Sequence, residues 1–216
     1  MLSTISKSMN DYIDVVNNAR DFYREKLEKI NNNYIGEQRI KAERAAYDDF
    51  MKIVESNRTS MTKTCDALIK AARVSVDKKI NEKLPVEFSA TISALQLAAD
   101  AEAMTPAQVE TILNDTPQYM GKSAILALAH KNKMLEDKAY YTVDALHNLI
   151  KRVESNVIYL SRINPTDMGG MHAALLANDK TIEGINEVIN NFVNGNFEML
   201  AVMPGEKPIQ LDFNRL

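Results

Sequence analysis

Three histidines, one cysteine and a few adjacent carboxylates are the residues of this 216-residue chain best suited to chemistry. His130, His147 and His172 stand at unrelated spacings, and no H-E-x-x-H sets two imidazoles on one helical face. Asp144 and His147, three residues apart, would share a face, but two ligands are too few for a metal centre. A helical di-iron site needs Glu-x-x-His twice, and the sequence contains none. Cys65 falls between Met61 and Leu68 on an apolar stripe, where a thiol is a small inert hydrophobe. Gly121-Lys122-Ser123 reproduces only the end of a phosphate loop, with Thr116 standing where its first glycine belongs. Asp48-Asp49 and Glu136-Asp137 are chain neighbours, which a helix points about 100° apart, so neither pair shares acid–base work. The residues give no catalytic set, no cofactor or metal site and no small-molecule substrate; a non-enzymatic protein is expected.

Charge narrows the partners. The chain has 26 Lys+Arg against 29 Asp+Glu, a net of −3, which makes no electrostatic case for an anionic membrane. Lys78-Lys79 with Lys83, and Lys131 with Lys133, form no continuous basic stripe, which disfavours nucleic acid. No run approaches the roughly 18 apolar residues of a membrane span. Met1–Lys7 lacks the apolar core of a secretory signal, so a cytoplasmic protein, or a component of a virion built there, is expected. A hydrophobic share of 45% suffices for a core. Seven Gly and six Pro are too few for turn-rich sandwiches, barrels or nucleotide-binding α/β sheets.

The elements that must position these residues are helices. Ile5, Met9, Tyr12, Val16, Ala19, Tyr23 and Ile30 alternate spacings of four and three, skipping only Lys26, the period of a coiled-coil seam. Asn31-Asn32-Asn33 and Gly36 break it. The seam resumes as Ile40, Tyr47, Met51, Val54, Met61, Cys65, Leu68, Ala72, Val76 and Ile80, interrupted at Arg58. Two long helices in a hairpin, or one bent helix of about 80 residues, both fit this pattern. The seam serves equally as the inside of a hairpin or as a self-association surface.

Pro85 ends the second helix. Residues 1–84 carry 16 basic and 13 acidic groups and residues 85–216 carry 10 and 16, so three parts are expected: a helical arm over 1–84, a compact helical domain over 85–198 and an extended tail over 199–216. Within the domain, helices are expected over Ser89–Ala103, from the capping box Thr105-Pro106-Ala107-Gln108, and after Thr116-Pro117. Others are expected over Lys138–Arg162, over Met171–Asn178 after a Gly169-Gly170 turn, and from Ile182 to Val193. Pro208 to Phe213 alternates at period two, so Ile209, Leu211 and Phe213 read as one face of an extended segment that needs a neighbour.

The all-α arm, helical body and strand-like tail resemble small structural proteins of bacteriophage and prophage assembly clusters. The resemblance rests on the Ile5–Tyr34 and Tyr47–Ile80 seams and the Pro204–Leu216 tail. It implies a virion or scaffold-type component that forms homo-oligomers through its helices and meets another structural protein. The interaction residues expected are Ile5, Met9, Tyr12, Val16, Tyr23, Tyr47, Met51, Val54 and Met61 of the seams, with Ile209, Leu211 and Phe213 of the tail. The alternative is a nucleic-acid-associated helical protein using the net-positive arm.

Overall fold

The computed structural model describes residues 2–166 and 168–198, with backbone alone over 168–180. It is all-α. Among the described residues the helices are α1 Ser3–Asn33, α2 Gly36–Ile80, α3 Phe88–Asp100, α4 Pro106–Asp115, α5 Tyr119–Lys131, α6 Val143–Arg162 and α7 Met168–Val193. The one extended pairing described is an antiparallel bridge between Tyr140 and Glu198. Residues 199–216, including Ile209, Leu211 and Phe213, lie outside the described residues.

α1 and α2 form an antiparallel hairpin, not one bent helix. Tyr23 stacks on Phe50 with ring centroids 5.2 Å apart, Lys26 Nζ donates to Asp49 Oδ2 at 2.9 Å, and Arg58 Nε donates to the Tyr12 hydroxyl at 3.4 Å. Residue numbers therefore rise on one helix as they fall on the other. The turn is Tyr34-Ile35, closed by the Tyr34 N–H donating to the Ile30 carbonyl at 2.9 Å. Gly36 follows at φ +56, a left-handed conformation that costs a side chain roughly 1 kcal/mol.

The α1 seam is buried as expected at Ile5, Met9, Tyr12, Val16, Ala19 and Ile30. The early part of the α2 seam is not: Ile40 is 65% and Tyr47 44% exposed, and Met51 is half-buried. Ala46 and Phe50 are buried instead, leading at four-residue spacing into the expected Val54, and further expected positions are buried at Met61, Cys65, Ala72, Val76 and Ile80. An α-helix has about 3.6 residues per turn, so a seam counted strictly at 3.5 drifts off the contact face within two heptads.

Two compact units divide the chain: Met1–Ala72 with Leu149–Asn186, and Arg73–Asn148 with Glu187–Leu216. They do not divide at the expected boundary near Pro85; α2, α6 and α7 each continue from one unit into the other. In the first unit α1 has more to bury than α2 can cover. Besides its seam it buries Ser6, Ile13 and Arg20, seven residues apart, on a second stripe. The first unit also buries Ile150, Val153, Val157, Leu160, Ile182 and Ile185, and the Leu2 N–H donates to Asn186 Oδ1 at 2.9 Å.

In the second unit the Thr105 capping box forms as expected, with Thr105 accepting from the Gln108 N–H and the Gln108 side chain accepting from the Thr105 N–H. Thr116 does not open α5. It caps the end of α4, its hydroxyl donating to the Ile112 carbonyl at 2.8 Å, and α5 starts at Tyr119. α6 begins at Val143, five residues later than expected, because Tyr140 and Tyr141 are taken up by pairing with Glu198 and Phe197. Thr142 starts it, accepting from the Ala145 N–H at 3.1 Å. Met168–Val193 is one helix where two were expected, so Gly169-Gly170 is helical and makes no turn. Tyr119, Phe192, Phe197 and Tyr140 form the unit's aromatic core, with Phe197 5.4 Å from Tyr119 and 5.1 Å from Phe192.

Gly121 shows how tightly that unit is packed. A Cβ there would lie 2.6 Å from Thr116 Cγ2 and 3.1 Å from both Leu84 Cδ2 and Phe88 Cε2. Gly121→Ala should lower stability by about 1–3 kcal/mol in urea unfolding, despite alanine's better helix propensity. A stabilised variant would show that these neighbours yield freely.

Candidate functional site

The two ends of the hairpin are built on different principles. Near its N-terminus α1 is buried on two stripes, and Arg20 is the last residue of the second. From Asp21 to Ala45 only Ile30 is buried, and Asn31 through Lys41 are all exposed. Past Arg20, then, α1 and α2 bury little beyond the single stripe they bury against each other.

This turn-proximal stretch carries large apolar side chains that its partner helix does not cover. Phe22 is 65%, Ile35 86% and Ile40 65% exposed, and Tyr34, Tyr47 and Ile53 are also exposed. Phe22 and Ile53 flank a shallow cleft of about 50 Å³ floored by Phe50, with the Lys26–Asp49 ion pair beside it. Tyr47 lies edge-on to Tyr23 at 6.2 Å, so aromatic surface continues from the cleft around α2. Exposed apolar side chains are normal singly, but six within 32 residues of one hairpin form a candidate interaction surface. Its charges are balanced: Asp21 to Ile53 holds seven acidic and seven basic residues. The lowered pKa of the Asp49 carboxyl follows from its hydrogen bond to Lys26 and then from that ammonium's charge.

The expected interaction residues divide accordingly. Ile5, Met9, Tyr12, Val16, Val54 and Met61 are buried inside the chain's own fold and offer no outward surface. Tyr23 and Met51 are half-buried, and Tyr47 is exposed on the candidate surface. Phe22, Ile35 and Ile53 were missed by seam counting because they lie off the 3.5-residue register. An apolar residue off the seam is the signal that would have found them.

The polar candidates are dispersed. His147 Nε2 lies 2.9 Å from Asp77 Oδ1, an exposed pair between α6 and α2. His130 Nε2 lies 2.9 Å from the Leu135 carbonyl, and since a carbonyl only accepts, that nitrogen carries the proton. Cys65 is buried and its thiol is pushed up to about 11 by that burial and then by Asp66, which makes it unreactive at neutral pH. Lys122 of the phosphate-loop fragment has its pKa lowered by burial, with Glu198 opposing. Among the described residues no three His, Cys, Asp or Glu side chains are grouped to hold a metal ion.

Fold and surface together define an all-α protein with an exposed, apolar-faced helical hairpin. No protein family, no characterised protein and no solved structure matches the chain. No helix among the described residues is long and apolar enough to cross a membrane.

Two groups make this geometry testable. The Arg20 guanidinium is 3% exposed; Nη2 donates to Asn17 Oδ1 at 2.7 Å, while Nε and Nη1 have no partner. Burial, then Arg24, lowers its pKa. A buried charge so poorly paired costs several kcal/mol to desolvate, so Arg20→Met should raise stability by about 1 kcal/mol or more in urea unfolding. A loss of stability would mean those donors are satisfied. In the second unit, burial and then Glu198 push Tyr140 up to about 12, and burial raises Tyr119. An unfolded tyrosine ionises near 10, so the contribution of these side chains is complete below about pH 10 and falls as pH rises toward about 12. Their tyrosinate absorbance should appear together with the loss of helicity; absorbance appearing while helicity persists would contradict their burial.

Proposed function

We propose that this is a non-enzymatic assembly protein, which self-associates by packing the turn-proximal faces of its hairpins against one another. The observation that carries the reading is the cluster of exposed Phe22, Tyr34, Ile35, Ile40, Tyr47 and Ile53 on a stretch where only Ile30, Ala46 and Phe50 are buried. A second copy fits this surface for two reasons. With seven charges of each sign between Asp21 and Ile53, two copies carry no net repulsion and can offset acidic against basic positions. Two such hairpins also complete a four-helix bundle, in which each helix packs against two neighbours and so buries a second stripe.

The same neutrality weakens the nucleic-acid alternative, because the most exposed part of the arm carries none of the excess positive charge that phosphate binding needs. A self-associating helical protein of this kind would work in the cytoplasm or in a virion, as phage assembly components do.

Absolute mass by light scattering on a sizing column tests the proposal. The native chain should run at a multiple of 24.3 kDa. The double variant Ile35→Asp/Ile40→Asp should return to a 24.3 kDa monomer with unchanged helical circular dichroism, since both side chains are exposed in the protomer. A native monomer at every concentration, or a variant that still associates, overturns the reading.

A further inference from the structure

The second unit contains a half-open pocket of about 370 Å³, within the usual range of binding cavities of roughly 300–1,000 Å³. One face of α5 supplies Tyr119, Ser123, Leu126, Ala127 and His130, at the spacings that share a helical face. The stretch ahead of α6 and the first turn of that helix supply Ala139 through Asp144. Leu126, Ala127, Ala139, Val143 and three tyrosine rings make most of the wall apolar.

Most polar groups of the lining are spent within the protein. The Tyr119 hydroxyl donates to the Tyr141 carbonyl at 2.7 Å, Thr142 Oγ1 accepts from the Ala145 N–H at 3.1 Å, and His130 Nε2 donates to the Leu135 carbonyl at 2.9 Å. The Ser123 hydroxyl oxygen is enclosed. It also lies about 10 Å along α5 from His130, so the two form no nucleophile–base pair. Burial holds the Tyr119 and Tyr140 phenols above their ordinary range, so both are uncharged at neutral pH. Asp144 is what remains. It is exposed, it is the one carboxylate of the lining, and no lysine or arginine lines the pocket with it.

A carboxylate at the mouth of a tyrosine-walled apolar space selects its ligand by charge. An anion would face Asp144 with no cation of the lining to offset it, and a neutral molecule would leave that charge unused. An ammonium is attracted by the carboxylate and by the faces of aromatic rings, while an apolar body gains by leaving water. We infer that this pocket binds a small organic ammonium, with its charged nitrogen against Asp144 at the mouth and an aromatic body between α5 and the Ala139–Val143 stretch. This inference is independent of hairpin self-association, because it concerns the other unit and needs no second copy.

Titration calorimetry on the full-length chain tests it, with three probes of one shape and different charge: phenylpropylamine, phenylpropanol and phenylpropionate. The amine should bind about fivefold more tightly than the alcohol, and the propionate more weakly than either. Asp144→Asn should remove that preference, lowering the affinity for the amine about fivefold and leaving the alcohol unchanged. Asp144 is exposed, so this variant should keep its helical circular dichroism. Ala127→Phe, which adds bulk on the pocket wall, should weaken the amine and the alcohol together. Equal binding of amine and propionate overturns the inference, and so does an Asp144→Asn chain that binds the amine as the native chain does. Failure of all three probes to bind at millimolar concentration also overturns it. If Ala127→Phe loses helicity, the Asp144→Asn comparison decides alone.

Discussion

The register of the α1–α2 hairpin is the constraint on which the first unit depends. Three cross-helix contacts mark it: Tyr12 with Arg58, Tyr23 with Phe50 and Lys26 with Asp49. They are not equal in weight. Lys26 and Asp49 are 39% and 60% exposed, and an ion pair so open to water is screened and adds little to stability. The stacked Tyr23 and Phe50 rings and the buried Val16, Val54 and Met61 exclude water and carry more. A slip of one turn would move these side chains about 5.4 Å out of step, exposing Phe50 and leaving Arg58 without the Tyr12 hydroxyl. Lys26 and Arg58, the two polar interruptions of the seams, therefore select one register more than they add stability.

That register also decides which end of the hairpin is finished. The Ser6–Ile13–Arg20 stripe gives the first part of α1 a second buried side, and from Arg20 onward no residue continues it. Beyond that point two helices alone can bury one stripe each, and Phe22, Ile35, Ile40 and Ile53 are left in water. Arg20 sits at the boundary with two donors unpaired. A guanidinium there is a poor choice for stability, but it stops the apolar second stripe from running on into the turn-proximal face. The two surfaces of α1 are kept distinct by a charged residue between them.

The helices and their main breaks were legible in the sequence because they depend on local chemistry: the 3.5-residue seam of α1, the Asn31–Gly36 break and the Thr105–Gln108 capping box all stand in the structure. What escaped the sequence depended on partners far along the chain. The long second helix ends at Ile80, ahead of the expected stop at Pro85, and this break does not separate two bodies, because the 149–186 segment joins the first unit through contacts such as Leu2 with Asn186. Ser6 and Arg20 gave no apolar signal for the second stripe of α1, although their spacing from Ile13 is regular. Tyr140 and Tyr141 fit a helical pattern well, and only the arrival of Phe197 and Glu198 draws them into extended pairing. The candidate surface was half visible: Tyr47 and Ile40 stood on a seam that served equally as hairpin interior or self-association surface, and both are exposed.

The second unit meets the same problem, apolar surface in excess of what its helices cover, in a different way. Its helices are short, and Gly121 lets α5 approach Thr116, Leu84 and Phe88 closely enough that no side chain fits between. Close packing on that side brings Tyr119 into the aromatic core with Phe192 and Phe197, and its hydroxyl donates to the Tyr141 carbonyl at 2.7 Å. That bond holds the stretch ahead of α6 in the extended form that pairs with Phe197 and Glu198. The pocket is thus bordered by backbone already committed to strand-like pairing at Tyr140 and Tyr141. A long flat hairpin face has no such backbone edge to offer, because helices satisfy their own hydrogen bonds, so it can be covered only by side-chain packing from another apolar-faced helix.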